Sequence, residues 1–191
     1  MPSPHPHADI LQDYGAEDII VPDALMGWMR SNHAGETGAV WIYMGASFAF
    51  WSKSIRHMAA EHGTTERHHL TVMAHLVPKG SRSVLVPLWK VMGFGLGFFP
   101  SLFGYRAFCV TIDAVETFVE HHYNVQIDFL KKTQSHPRLL AVLQRCCHEE
   151  VHHQQDAHTR AGHRPLGPIG RLWFKVVGGG SALAVSVAKK V

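Results

Sequence analysis

The chain has 191 residues, 46% hydrophobic and 17% charged, and its 18 Lys and Arg against 15 Asp and Glu give a formal net charge of +3. Such length and apolar content suit one globular domain with a sizeable core and exclude disorder as the main state. The small charge, with no basic run, excludes a nucleic-acid footprint. Three cysteines, Cys109, Cys146 and Cys147, are too few for a disulfide framework, and a reducing compartment is expected. Histidine is the outlier, since 16 imidazoles stand beside 15 acids and direct attention to metal binding.

Residues 1–20 contain neither Lys nor Arg and no apolar block long enough for a signal peptide, so a flexible tail without secretory or transit function is expected there. From Pro22 and Asp23 to Trp51 the apolar periodicity predicts a first helix, with Leu25, Met29, Asn32, Glu36, Val40, Tyr43, Ser47 and Phe50 on one stripe. A second is predicted from near Met58 to Leu76, ended by Pro78, whose ring disfavours helix in the preceding residue. The third runs from about Phe103 to Lys132 and the fourth from Pro137 to about Gly162. No segment alternates as a strand would, so the expected fold class is all-α.

Between the second and third helices, Val84 to Gly104 holds a single charge, Lys90. Pro87, Pro100 and the glycines at 93, 95 and 97 argue against a membrane span. The stretch from Leu166 to Val191 mixes Trp173, Phe174, Val176 and Val177 with Arg171, Lys175, Lys189 and Lys190. Two readings stand for both segments: packing into the core, or attachment to an anionic membrane surface. The run Gly93 to Gly97 is not a dinucleotide fingerprint, because no strand precedes it.

Acids and histidines along the four helices follow the order E, ExxH, E, ExxH: Glu36, then Glu66 with His69, then Glu116, then Glu150 with His153. Helical residues three apart share a face, so each ExxH aims one carboxylate and one imidazole at a common point. The phase agrees with burial. Leu139, Leu143, Cys146, Glu150, His153 and Ala157 step by four and three, as do His62, Glu66, His69, Met73 and Leu76. Carboxylates on core stripes are intolerable without compensating charge. Four glutamates are balanced by two divalent ions with neutral histidines, and a carboxylate and imidazole set without thiolate suits iron or manganese. Glu149 and His152 repeat the ExxH spacing off the stripe, and Glu120 lies one turn from Glu116 and could face the same centre. Asp113 and Asp156 are three residues from Glu116 and His153, placed either to hydrogen-bond a ligand or to lie at the surface. His68, His75, His121 and His122 read as surface or packing groups, and the cysteines as core.

From about Met29 onward these residues resemble a known family. NHAGETGA at Asn32 to Ala39, ERHHL at Glu66 to Leu70, VLVPLWKVMGFGLG from Val84, AVETFVEHHYNVQI from Ala114 and HEEVHH from His148 are similar to motifs of the demethoxyubiquinone hydroxylases of ubiquinone biosynthesis. Thr37, where an aromatic residue is expected, and the Val-His-His-Gln-Gln run from Val151 depart from the pattern. The resemblance implies a ferritin-like four-helix bundle with additional apolar membrane-facing helices, formed by residues 21–191 with an amphipathic C-terminal helix. It implies two iron ions per chain on Glu36, Glu66, His69, Glu116, Glu150 and His153, the third-helix ligand being Glu116 rather than Glu120. It further implies a monooxygenase that uses O2 to hydroxylate the ring of a polyprenylated benzoquinol. A lipid-binding partner and a peripheral position on the cytoplasmic face of the bacterial cell membrane belong to the same expectation. No nucleotide-binding motif is visible, so an external reductant supplies the electrons: NADH, a reductase or the quinol itself.

Overall fold

The computed structural model describes residues 6–191, and among these every regular element is helical. Seven α-helices follow in order: α1 (Pro6–Tyr14), α2 (Asp23–Ser47), α3 (Lys53–Leu76), α4 (Val86–Leu102), α5 (Tyr105–Thr133), α6 (Pro137–Ala161) and α7 (Pro168–Ala188), with a single 3-10 turn at Lys79–Ser81. The four helices expected from periodicity are α2, α3, α5 and α6. Their ends follow local chemistry. Ser52 caps α3 by accepting from the Ile55 amide, which starts the helix five residues ahead of Met58 and ends α2 before Trp51. Ser47 and Phe50, placed on the first stripe, are consequently exposed.

The expected flexible tail is corrected for the described part of it. Residues 6–14 form α1, and Tyr14 and Ala16 are buried in a core cluster with Met73, Leu76, Leu139 and Leu143. The apolar side chains of Ile10 and Leu11 pack against the same cluster, and their burial offsets the ordering cost. Residues 1–5 of the expected tail lie outside the described residues.

The bundle consists of two hairpins, α2 with α3 and α5 with α6, which face each other. Backbones approach closely within each hairpin. Between hairpins, contact runs mainly through side chains, which leaves a central space. Two apolar clusters bracket it, one around Met29, Tyr123 and Leu143 and the other around Ile42, Met58 and Phe108.

The apolar segment after Val84 becomes α4, and its glycines are used rather than merely tolerated. A side-chain carbon on Gly93 would overlap the Gly38 carbonyl, and one on Gly97 the Ile42 carbonyl, so α4 seats directly on the α2 backbone. The C-terminal segment becomes α7, which packs on α5 and α2 while most of its length stays exposed. Among the described residues no helix is long and apolar enough to cross a membrane.

Candidate metal centre

All six side chains of the E, ExxH, E, ExxH pattern enter the central space, and none is more than 4% exposed. They form two overlapping groups whose donor atoms lie within 4.8 Å of one another: Glu36, Glu66, His69 and Glu150, and Glu66, Glu116, Glu150 and His153. Glu66 and Glu150 belong to both. His69 Nδ1 lies 2.9 Å from Glu150 Oε1 and 3.6 Å from Glu36 Oε2. His153 Nδ1 lies 2.9 Å from Glu66 Oε1 and 3.4 Å from Glu150 Oε2. Glu120 is half-buried and stands outside both groups.

The donor set fits a pair of cations. Glu36 Oε2, both oxygens of Glu66, Glu150 Oε2 and His153 Nδ1 are buried without a hydrogen-bond partner. His153 Nδ1 and Glu66 Oε1 are close yet not aligned as donor and acceptor, so they converge on a common point rather than satisfy each other. Without a cation, protons would have to carry the compensation. Burial and the charge of Glu150 push Glu66 up to about 7, and burial with Glu150 and Glu66 lifts Glu116 well above the carboxylate range. Burial would lower His153, but its contacts with Glu150 and Glu66 lift it to about 11. Burial would raise Glu150, yet His69 and His153 hold it below its ordinary value. Carboxylates that keep protons and imidazoles that gain them mark a site short of positive charge.

Hydrogen bonds to the donors come from residues the motif does not contain. Tyr123 donates to Glu36 at 2.5 Å and Tyr43 to Glu116 at 3.3 Å. Tyr43 lies seven residues after Glu36 on α2 and Tyr123 seven after Glu116 on α5, yet each bonds the glutamate of the other helix, so antiparallel α2 and α5 exchange these bonds across the centre. That repeat of seven, two helical turns, was the available signal. Glu149, set aside as off the stripe, sits 2.7 Å from His69 Nε2 and also accepts from Tyr14 at 2.5 Å and Arg145 at 3.2 Å. Burial would raise Glu149, but these three partners press it down to about 2. His62 stacks on His153 with ring centroids 4.2 Å apart and 8° between planes. It reaches Asp156 at 2.8 Å through Nε2 and the Tyr43 hydroxyl at 3.2 Å through Nδ1. Asp156 is therefore tied to the centre through His62, whereas Asp113 pairs with Gln154 and His158. His75 and His121 are exposed and His68 is half-buried, outside both groups. All three cysteines are buried and free.

A cavity of about 430 Å³ opens beside the centre between α2, α4, α5 and α7. Glu36, Glu116 and Glu150 form part of its wall, and the remainder is mostly apolar, including Trp89, Leu96, Phe118, Val177 and Ala184. Met92, Phe99, Trp173 and Val176 belong to the same wall and are partly exposed, so its mouth is rimmed with apolar side chains.

Fold and centre together define a class: helical bundles that carry a paired carboxylate and imidazole metal site beside an apolar cavity. Within that class the assignment is direct. Residues 23–188 match the family model described as "Ubiquinone biosynthesis protein COQ7", and the chain belongs to this family. It is 30% identical over 167 residues to the NADPH-dependent 3-demethoxyubiquinone 3-hydroxylase, mitochondrial, of Rattus norvegicus, covering 85% of this chain and 76% of the relative. The 3-demethoxyubiquinol 3-hydroxylases of Rhodospirillum rubrum and Cupriavidus metallidurans are 30% and 33% identical, over 89% and 76% of this chain and 80% and 70% of theirs.

Proposed function

We propose that this chain is a 3-demethoxyubiquinol 3-hydroxylase, a di-iron monooxygenase that hydroxylates the ring of a polyprenyl methoxy-methyl-benzoquinol with O2 and two external electrons. One observation carries the reading: paired four-donor groups sharing Glu66 and Glu150 form part of the wall of an apolar cavity. Glu36 and His69 would hold one iron, Glu116 and His153 the other, and Glu66 and Glu150 both. When bound, the pair supplies O2 activation and the two-electron chemistry of hydroxylation.

The remaining work belongs to the protein. Four carboxylates balance two divalent charges in a core where an unpaired charge would cost several kcal/mol. Tyr43, Tyr123 and Glu149 orient donors through the hydrogen bonds above. The apolar wall keeps water away while the ring is held against the centre.

Residues 21–191 act in this reading as one di-iron domain, because α7 completes the cavity wall. A substrate with an isoprenoid tail resides in a bilayer. The exposed apolar residues of α4 and α7, among them Val91, Phe99, Leu172 and Leu183, flanked by Lys90, Arg171 and Lys175, suit a peripheral position on the cytoplasmic face of the bacterial membrane. A lipid-binding partner and an external reductant complete the cycle. Expression in a ubiquinone-making bacterium lacking its own hydroxylase tests the assignment. Ubiquinone should be restored and the demethoxy precursor should disappear with the wild-type chain, and neither should occur with Glu150→Ala. Continued accumulation of the precursor with the wild-type chain overturns it.

A further inference from the structure

One wall of the cavity carries a polar cluster that takes no part in metal binding: Ser31 and Asn32 on α2, and His122 and Gln126 on α5. Its hydrogen-bond assignment follows from one backbone carbonyl. Gln126 Nε2 lies 3.2 Å from the His122 carbonyl oxygen, an acceptor only, so that atom is the amide nitrogen. Gln126 Oε1 then accepts from Asn32 Nδ2 at 3.0 Å, and Gln126 Nε2 donates to Asn32 Oδ1 at 2.9 Å. Asn32 Oδ1, thus fixed as an acceptor, lies 2.9 Å from His122 Nε2. Ser31 Oγ donates to the Trp28 carbonyl and turns a lone pair toward the same nitrogen at 3.2 Å. Two acceptors converge on Nε2, so Nε2 carries the hydrogen.

Nδ1 of His122 is left with the lone pair. Burial, with Lys189 and His121 nearby, pushes the imidazole down to about 4, so the ring is neutral near pH 7. No donor among the described residues bonds Nδ1, and it is absent from the sealed, unpartnered atoms of the core. His122 lines the cavity together with Phe118, on whose ring it stacks at 5.9 Å, and with Glu36, Glu116 and Glu150. Asn32 precedes Glu36 by one helical turn, about 6 Å of rise, which places the cluster a short step from the centre.

We propose that His122 Nδ1 is the acceptor for a ring hydroxyl of the substrate, and that this contact makes the cavity select the reduced benzoquinol over the oxidised benzoquinone. A quinol offers O–H donors and a quinone only carbonyl acceptors, which would face a lone pair. The inference rests on the hydroxylase reading above and adds the residue that holds the cavity to the quinol form.

Anaerobic binding to the full chain loaded with manganese(II), which does not exchange electrons with either ring form, tests it. Quenching of tryptophan fluorescence is read with decyl-chain demethoxyubiquinol and with the matching quinone, since Trp89 and Trp173 line the cavity. The wild type should bind the quinol about tenfold more tightly, the worth of one hydrogen bond. His122→Phe should erase that preference while keeping quinone affinity within about twofold. His122→Asn, whose amide oxygen can stand near the Nδ1 position, should retain part of it. Equal wild-type affinities, or an undiminished preference in His122→Phe, overturn the inference and leave the hydroxylase reading intact. Binding of neither form by the wild type overturns both.

Discussion

The two ExxH helices present their histidines alike and secure them differently. His69 on α3 faces the centre with Nδ1, and its Nε2 is pinned by Glu149, which Tyr14 and Arg145 hold in turn. Arg145 also pairs with Asp13 at 2.6 Å and lies over the Tyr14 ring, so α1 and the residues after it buttress this half. His153 on α6 faces the centre the same way but is supported by the flat stack of His62, which Asp156 orients. The donors repeat and the supports do not. A near-symmetric ligand set arises from a repeated helix pattern, whereas each support uses whatever side chain the neighbouring helix brings within reach.

The largest effect should come from removing what the halves share. Glu150→Ala or Glu66→Ala should lose both irons and all hydroxylation, whereas Glu116→Ala should retain about one iron per chain. Iron counting on purified protein distinguishes these, and equal losses would show that the halves do not load separately.

Proton linkage gives the next effect. Glu66 and Glu116 have folded values raised above their unfolded ones, so these two groups hold more protons in the metal-free native state than in the unfolded chain as pH rises from about 4.5 toward 7. The raised His153 extends the same sign from its ordinary value up to about 11. Burial lowers His33, His62 and His122 to about 4, and these act with the opposite sign up to about 6.5, so stability of the metal-free protein should fall with rising pH above about 6.5. Metal binding displaces those protons, and the gain in melting temperature on adding iron should widen from pH 5.5 to pH 7.5. A gain that narrows would contradict the charge account.

The supports should separate next. Glu149→Ala strands the His69 N–H and the Tyr14 hydroxyl and should weaken metal binding about 10- to 100-fold in competition with a chelator. His62→Phe keeps an aromatic ring against His153 and loses only the bonds to Asp156 and Tyr43, so its cost should be below about tenfold, with roughly 1 kcal/mol of stability lost. A larger loss in His62→Phe than in Glu149→Ala would reverse the ranking of the halves. Glu120→Ala, outside both groups, should leave iron content unchanged.

Much of this architecture is legible along the chain because helices report burial through their period. The stripes through Glu66, His69 and Met73 and through Cys146, Glu150 and His153 are buried throughout, so both ExxH pairs declare their direction locally. Glu116 and Glu120 share a face by spacing alone. Tyr43 lay on the first stripe with no role marked for it, and Glu149 lay off one and was passed over, because the partner each touches belongs to another helix. The segment at residues 6–14 gave no sign of order, since what holds it is the cluster between α3 and α6 that Tyr14 enters.

Periodicity, helix punctuation and the repeated carboxylate and imidazole spacing, all properties of neighbours on one helix, are determined by the sequence alone, and they suffice for an all-α chain with five inward-facing donors and a sixth at Glu116 or Glu120. Which carboxylates are shared, which tyrosines bond them, how the glycines of α4 meet the α2 backbone and which nitrogen of His122 carries its hydrogen were decided only by tertiary structure. Each depends on the distance between atoms of different helices, which is set when the two hairpins pack together.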